Sequence, residues 1–136
     1  MSKPDGKYLE YVGGHPDTEY QAKFDVAWAA LGHHGIVPKG FRCDGGSTSF
    51  AEHLGYPSVG DEMERCYLVH DHINRNPQHY PHIKRRWTMD RIMWEVARQD
   101  GACFLKRWGA WRAVRRFGKK AWKAHRVDIE NAKDWL

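Results

Sequence analysis

Three polar side chains fall where helical periodicity puts a core: His70 and Asp71 in CYLVHDHIN, and Asp90 in RRWTMDRIMWEVA. A polar or ionised group on a buried face destabilises a fold unless it has a partner, so groups of this kind on neighbouring helices best satisfy one another. Asp90 would then orient the His70 imidazole and fix its tautomer, the arrangement of a general base that activates water. Asp71 points about 100° away around its helix and can meet the CDGGS turn. There Gly45 and Gly46 offer closely approachable carbonyls and Asp44 a second carboxylate. Oxygen donors of this type suit a hard cation, Ca²⁺. Two other readings stand beside this one. A His–Asp pair between helices is often only a buried structural hydrogen bond, and Cys43, Asp44, Cys66 and His70 would make a tetrahedral Zn²⁺ site, though without a familiar finger spacing. Ser47, beside two glycines, reads as a cap rather than a nucleophile. His33, His34, His72, His79, His82 and His125 read as loop or surface residues.

The elements that would position these groups follow from period and punctuation. Residues 1–20 read as an irregular arm interrupted by Gly13, Gly14 and Pro16. AKFDVAWAAL places Phe24, Val26 and Trp28 on one side, as a half-buried strand does. GIVPKGFRCDGGSTS continues as a short extended piece and a Gly-rich turn, bent at Pro38 and Gly40. From Asp61 the period becomes helical. A first helix, capped at Ser58 or Asp61, runs to about Arg75 with Met63, Cys66, Tyr67, His70 and Ile73 or Asn74 on one face, and Pro77 stops it. A second, from about His82 to Gln99, puts Ile83, Trp87, Asp90, Met93, Trp94 and Ala97 inward and ends at Gly101. A third, from about Ala102 to His125, buries Phe104, Trp108, Trp111, Val114 and Trp122 and bends at Gly118. The fold class is α+β, mainly α: three main helices, a small N-terminal β element and a Gly-rich loop.

The 136 residues suffice for one domain and one core, and an aromatic content of 13%, with seven Trp, favours a packed chain over a disordered one. No stretch approaches the roughly 20 apolar residues that span a bilayer, and MSKPDGKYLE has no apolar signal core. Cys43, Cys66 and Cys103 are an odd set without CxxC spacing, which fits a reducing compartment and leaves a single Cys43–Cys66 bridge open. The net charge of +5 is concentrated at one end. Gly101 to Arg126 holds nine basic residues, Lys106, Arg107, Arg112, Arg115, Arg116, Lys119, Lys120, Lys123 and Arg126, and no acidic one. Such a face, with Arg112, Arg115, Arg116, Lys119, Lys120 and Lys123 outward, suits an anionic partner: lipid headgroups, an acidic protein patch or nucleic acid. The bland reading is a solvated helix whose aliphatic stems cover apolar surface. No base-reading module is present.

VPKGF, CDGGS, VHDHIN, MDRIMWEV and WRAVRRFGKKAW, in that order, make residues 20–122 resemble the phage and prophage family known as domain of unknown function 1353. Asp44, Ser47, His70, Asp71 and Asp90 match that family's polar positions. Thr48, Ser49, His72 to Asn74 and Met93 depart from its pattern. The resemblance implies a phage-encoded protein made in a bacterial host cytoplasm and, for a tail or baseplate component, association with the virion and other virion proteins. It supplies no activity. The order of a Gly-rich loop, Cys-x-x-x-His-Asp and an Asp on the next helix is also similar, more distantly, to secreted phospholipases A2. That likeness implies His70 as water activator, Asp71 as calcium ligand and Asp90 as the group orienting the histidine; the phospholipases' disulfides and fuller glycine loop are missing.

The expectation is one domain over 1–136, with an arm to residue 20, a core over 21–122 and a tail over 123–136. Its leading function is a metal-assisted hydrolase of a lipid or cell-envelope ester. The alternatives are a non-catalytic virion or assembly protein and a nonspecific nucleic-acid binder.

Overall fold

The computed structural model describes residues 6–13, 20–43 and 62–126. Side-chain alternation in the first part builds two small antiparallel sheets. Strands β1 (Leu9–Tyr11), β2 (Tyr20–Ala22) and β5 (Arg42–Cys43) form one in the order β1-β2-β5. The other is a hairpin of β3 (Val26–Ala30) and β4 (His33–Val37), with Val26 opposite Val37 and Ala30 opposite His33. Val26, Trp28 and Ala30 are buried while Ala27 and Ala29 face solvent, the period of two expected of a half-buried strand. Phe24, expected on the same face, precedes the strand and is exposed. The hairpin turns through Leu31 and Gly32, both left-handed at φ 53° and 80°. Two positive φ angles are what a two-residue type I′ turn requires; Gly32 adopts one freely, and Leu31 does so at a cost of roughly 1 kcal/mol.

The helices are α1 (Glu64–Arg75), α2 (Arg86–Gln99), α3 (Phe104–Phe117) and α4 (Lys119–Ala124), with a single 3₁₀ turn at Pro77–His79 after α1. Thus the expected second helix starts four residues later than the sequence suggests, and the third is two helices. The break falls at Gly118, where space is tight. Val114 O accepts both the Gly118 N–H at 2.9 Å and Arg86 Nη1 at 2.8 Å, and a Cβ on residue 118 would lie 2.6 Å from that oxygen. α2 packs between α1 and α3 and lies against β3.

Polar anchors join these elements. The fully buried Glu64 carboxylate accepts the backbone N–H groups of Lys7, Tyr8 and Leu9 at 3.0, 2.9 and 2.6 Å, fixing β1 to the start of α1. Arg65 forks onto Asp100 at 2.8 and 2.9 Å and reaches Ala27 O, joining α1 to the end of α2 and to β3. Buried Arg126 donates to Ile73 O and Asn74 O and stacks on Trp122. It satisfies carbonyls that the last turn of α1 leaves open.

Two expectations about the core are corrected. α3 buries Gly109, Ala110, Ala113 and Val114 rather than its largest side chains. Phe104 and Trp108 are exposed, and Trp87 on α2 is likewise exposed. His72 is no surface residue: it is 2% exposed, with Nδ1 2.6 Å from the Tyr80 hydroxyl and the Phe41 ring edge-on. Burial, helped by His79, pulls its pKa from 6.5 down to about 4.

A histidine kept neutral in the fold binds its proton more readily when unfolded. Its contribution is therefore complete above pH 6.5 and lost as pH falls from 6.5 toward 4. Urea unfolding at pH 7 and pH 4 should show His72→Phe losing less stability on acidification than the wild type, by roughly 2 to 3 kcal/mol; equal losses would contradict the neutral, buried state.

Candidate functional site

α1 and α2 run side by side, and their middles carry His70 and Asp90 into contact. His70 Nε2 donates to Asp90 Oδ1 at 2.8 Å. The Asp90 side chain is 1% exposed and the His70 side chain 13%, so the pair is largely closed to water. The second carboxylate oxygen is also taken. Arg115 Nη1, from α3, lies 2.8 Å from Asp90 Oδ2, and Arg86 Nη1, one turn back on α2, lies 3.5 Å from it. One buried anion thus gathers donors from three helices. Arg86 also donates to Val114 O at 2.8 Å and to Arg115 O at 3.3 Å, closing the C-terminus of α3. Burial, opposed by Asp90 and reinforced by Arg115, holds the Arg86 guanidinium below its ordinary pKa.

Asp71 is ion-paired with Arg75 at 3.0 Å, one turn along the same helix. The expected partners Asp44, Gly45 and Gly46, and with them Ser47, lie outside the described residues. Cys43 and Cys66 are buried free thiols and Cys103 is an exposed one, so the Cys43–Cys66 bridge is not formed. Among the described residues no three His, Cys, Asp or Glu gather in a metal-ligating group; Cys43, Cys66 and His70 do not converge.

The basic residues divide between two surfaces. Arg115, Lys119 and Lys123 line a cleft of about 380 Å³ together with Arg85, Arg86, Trp87 and Trp122. Arg112, Arg115 and Arg116 line a shallower groove of about 470 Å³ along α3 with Trp108, Trp111 and Phe117. Lys120 is exposed and borders neither. Along α2 and α3 the rings meet edge to face, Trp87 with Trp111, Trp94 with Trp111 and Trp94 with Phe104. Guanidinium groups lie over them: Arg91 on Trp87, Arg107 on Trp94, Arg112 on Trp108 and Arg115 on Trp111.

Sequence reasoning missed Arg85, Arg86 and Trp87. A signal was present, because two arginines at the start of a helix oppose its macrodipole and so call for an anion nearby. Asp90, one turn on, is that anion for Arg86.

Compared with known proteins, the chain matches no family model, no curated protein and no solved structure.

Removing one partner of a buried ionic cluster leaves the others uncompensated. Asp90→Asn should cost about 2 to 4 kcal/mol in urea unfolding, and His70→Ala about 1.5 to 3, the range for a hydrogen bond to a charged group. If Asp90→Asn stays within the error of the wild type, the cluster does not hold the helices.

Proposed function

We propose that this protein is a non-catalytic docking module that seats the α2–α3 face on an anionic lipid surface. The observation that carries the reading is the composition of that face. Phe104 and Leu105 are 58% and 66% exposed, Trp87, Trp108 and Phe117 are also exposed, and Arg107, Arg112 and Arg116 are interleaved with them. Large aromatic and aliphatic side chains held in water are unfavourable unless covered. The boundary between headgroups and acyl chains accommodates this mixture: rings and Leu enter the apolar edge while guanidinium groups stay with phosphates. Nucleic acid fits less well. Guanidinium groups already cover one face of Trp87, Trp94, Trp108 and Trp111, where bases would stack, and an exposed Leu has no use for a phosphate backbone. Among the described residues no helix is long and apolar enough to cross a membrane, so the contact proposed is peripheral.

In this reading the His70–Asp90–Arg115 cluster holds α3 in place and aims its arginines. A second reading, a lipid-ester hydrolase with His70 as base, is favoured by the 2.8 Å contact between His70 and Asp90. Against it stand the closed pair and the carboxylate oxygen taken by Arg115, which leave His70 little access to water or substrate. A virion or assembly role, implied by the phage-family resemblance, is compatible with docking and supplies a setting for it.

Each basic residue near an anionic bilayer contributes about 1 kcal/mol. Cosedimentation should show binding to vesicles of phosphatidylglycerol and phosphatidylcholine, little binding to phosphatidylcholine alone, and a drop of more than tenfold in Arg112→Gln/Arg116→Gln. Absence of vesicle binding, or equal binding to both compositions, would contradict docking; salt-sensitive retardation of DNA in its place would favour the nucleic-acid alternative.

A further inference from the structure

Beyond the docking face, we infer that the cleft between the start of α2 and the α3–α4 corner is a binding site for a phosphoryl group carried as a phosphomonoester or pyrophosphate. Five cations converge there: Arg85 and Arg86 from α2, Arg115 from α3, and Lys119 and Lys123 from α4. Arg86 and Arg115 are held by Asp90, which is fully buried behind them. Arg85, Lys119 and Lys123 are exposed and have no carboxylate partner among the described residues. Three mutually repelling charges around one concavity are unfavourable unless an anion joins them. The volume of about 380 Å³ leaves room for more than one phosphate.

The backbone adds to the charge. α2 begins in this cleft with Arg85 at its N-cap in an extended conformation, and no side chain caps it. Arg85, Arg86 and Trp87 all line the cleft, so the positive end of a 14-residue helix dipole lies beside the five cations. Trp87, exposed and lining the cleft, offers apolar surface to a ligand that carries an organic group next to its phosphate. A doubly charged monoester gains more from clustered cations than a singly charged diester does, and the shape is a concavity rather than a track, which favours a terminal phosphate over a backbone. Asp90 acts here as a positioning residue: by holding Arg86 and Arg115 it prevents the inner cations from turning away, leaving the outer three to meet the ligand.

The test is isothermal titration of the full chain with inorganic pyrophosphate. Saturable binding near one equivalent is expected, weakened at least tenfold in Lys119→Gln/Lys123→Gln and in Arg85→Gln. It should be unchanged in Lys23→Gln/Lys39→Gln, which removes the same charge from the β region. Absence of saturable binding, or an equal loss in the two double variants, overturns the inference. A second arm identifies the source of the phosphate. Preference for vesicles of phosphatidic acid over phosphatidylglycerol at equal charge, lost in Lys119→Gln/Lys123→Gln, assigns it to a lipid headgroup; pyrophosphate binding without that preference assigns it to a soluble ester. Vesicle binding without pyrophosphate binding defeats the cleft while leaving the docking face standing, and pyrophosphate binding without vesicle binding does the reverse.

Discussion

A carboxylate removed from water must be matched atom for atom, and in this protein that constraint organises the helical half. Asp90 has two oxygens and no exposure; one is met by the His70 imidazole of α1 and the other by Arg115 of α3, with Arg86 of its own helix nearby. Because the donors come from three helices, the anion defines their relative register in a way that apolar packing alone, tolerant of small slides, does not. Arg86 extends the effect. By giving its other donors to Val114 and Arg115 carbonyls it closes α3 and sets the corner at Gly118 from which α4 departs.

That arrangement has an electrostatic consequence. Asp90 neutralises one of the positive charges it gathers, so an excess remains, and Arg86 and Arg115 line the cleft together with Arg85, Lys119 and Lys123. The same device recurs elsewhere in the fold. Arg126 closes α1 by donating to Ile73 and Asn74 carbonyls, and Arg65 joins α1 to Asp100 at the end of α2. Cations that terminate helices serve structure, while those left over on α3 and α4 give the molecule a surface suited to anions.

The inward placement of His70 and Asp90 was legible because helical spacing needs only residue type and position. The β3 alternation was legible for the same reason, and the helix-rich α+β architecture followed from the two periods together. The packing of α3 was not. A reading that assigns the largest apolar residues to the core puts Phe104 and Trp108 inside, but the side that the helix buries carries Gly109, Ala110, Ala113 and Val114, and packing through small side chains is something that hydrophobicity does not report. His72 was misplaced because its partner Tyr80 lies beyond a turn, and no local pattern announces a hydrogen bond between them. The third helix read as continuous because glycine permits either a bend or a stop, and nothing local announces that Arg86, far away in sequence, shares the Val114 carbonyl with the Gly118 N–H.

The structural role of Asp90 is tested most directly by a double-mutant cycle in urea unfolding with Asp90→Asn, Arg115→Gln and the double variant. Because each single change leaves the other group uncompensated, the two losses should be strongly non-additive, with a coupling of at least about 1.5 kcal/mol. Additivity within about 0.3 kcal/mol would show that the carboxylate and the α3 guanidinium do not depend on each other, and the clamp that aims the cationic surface would not exist.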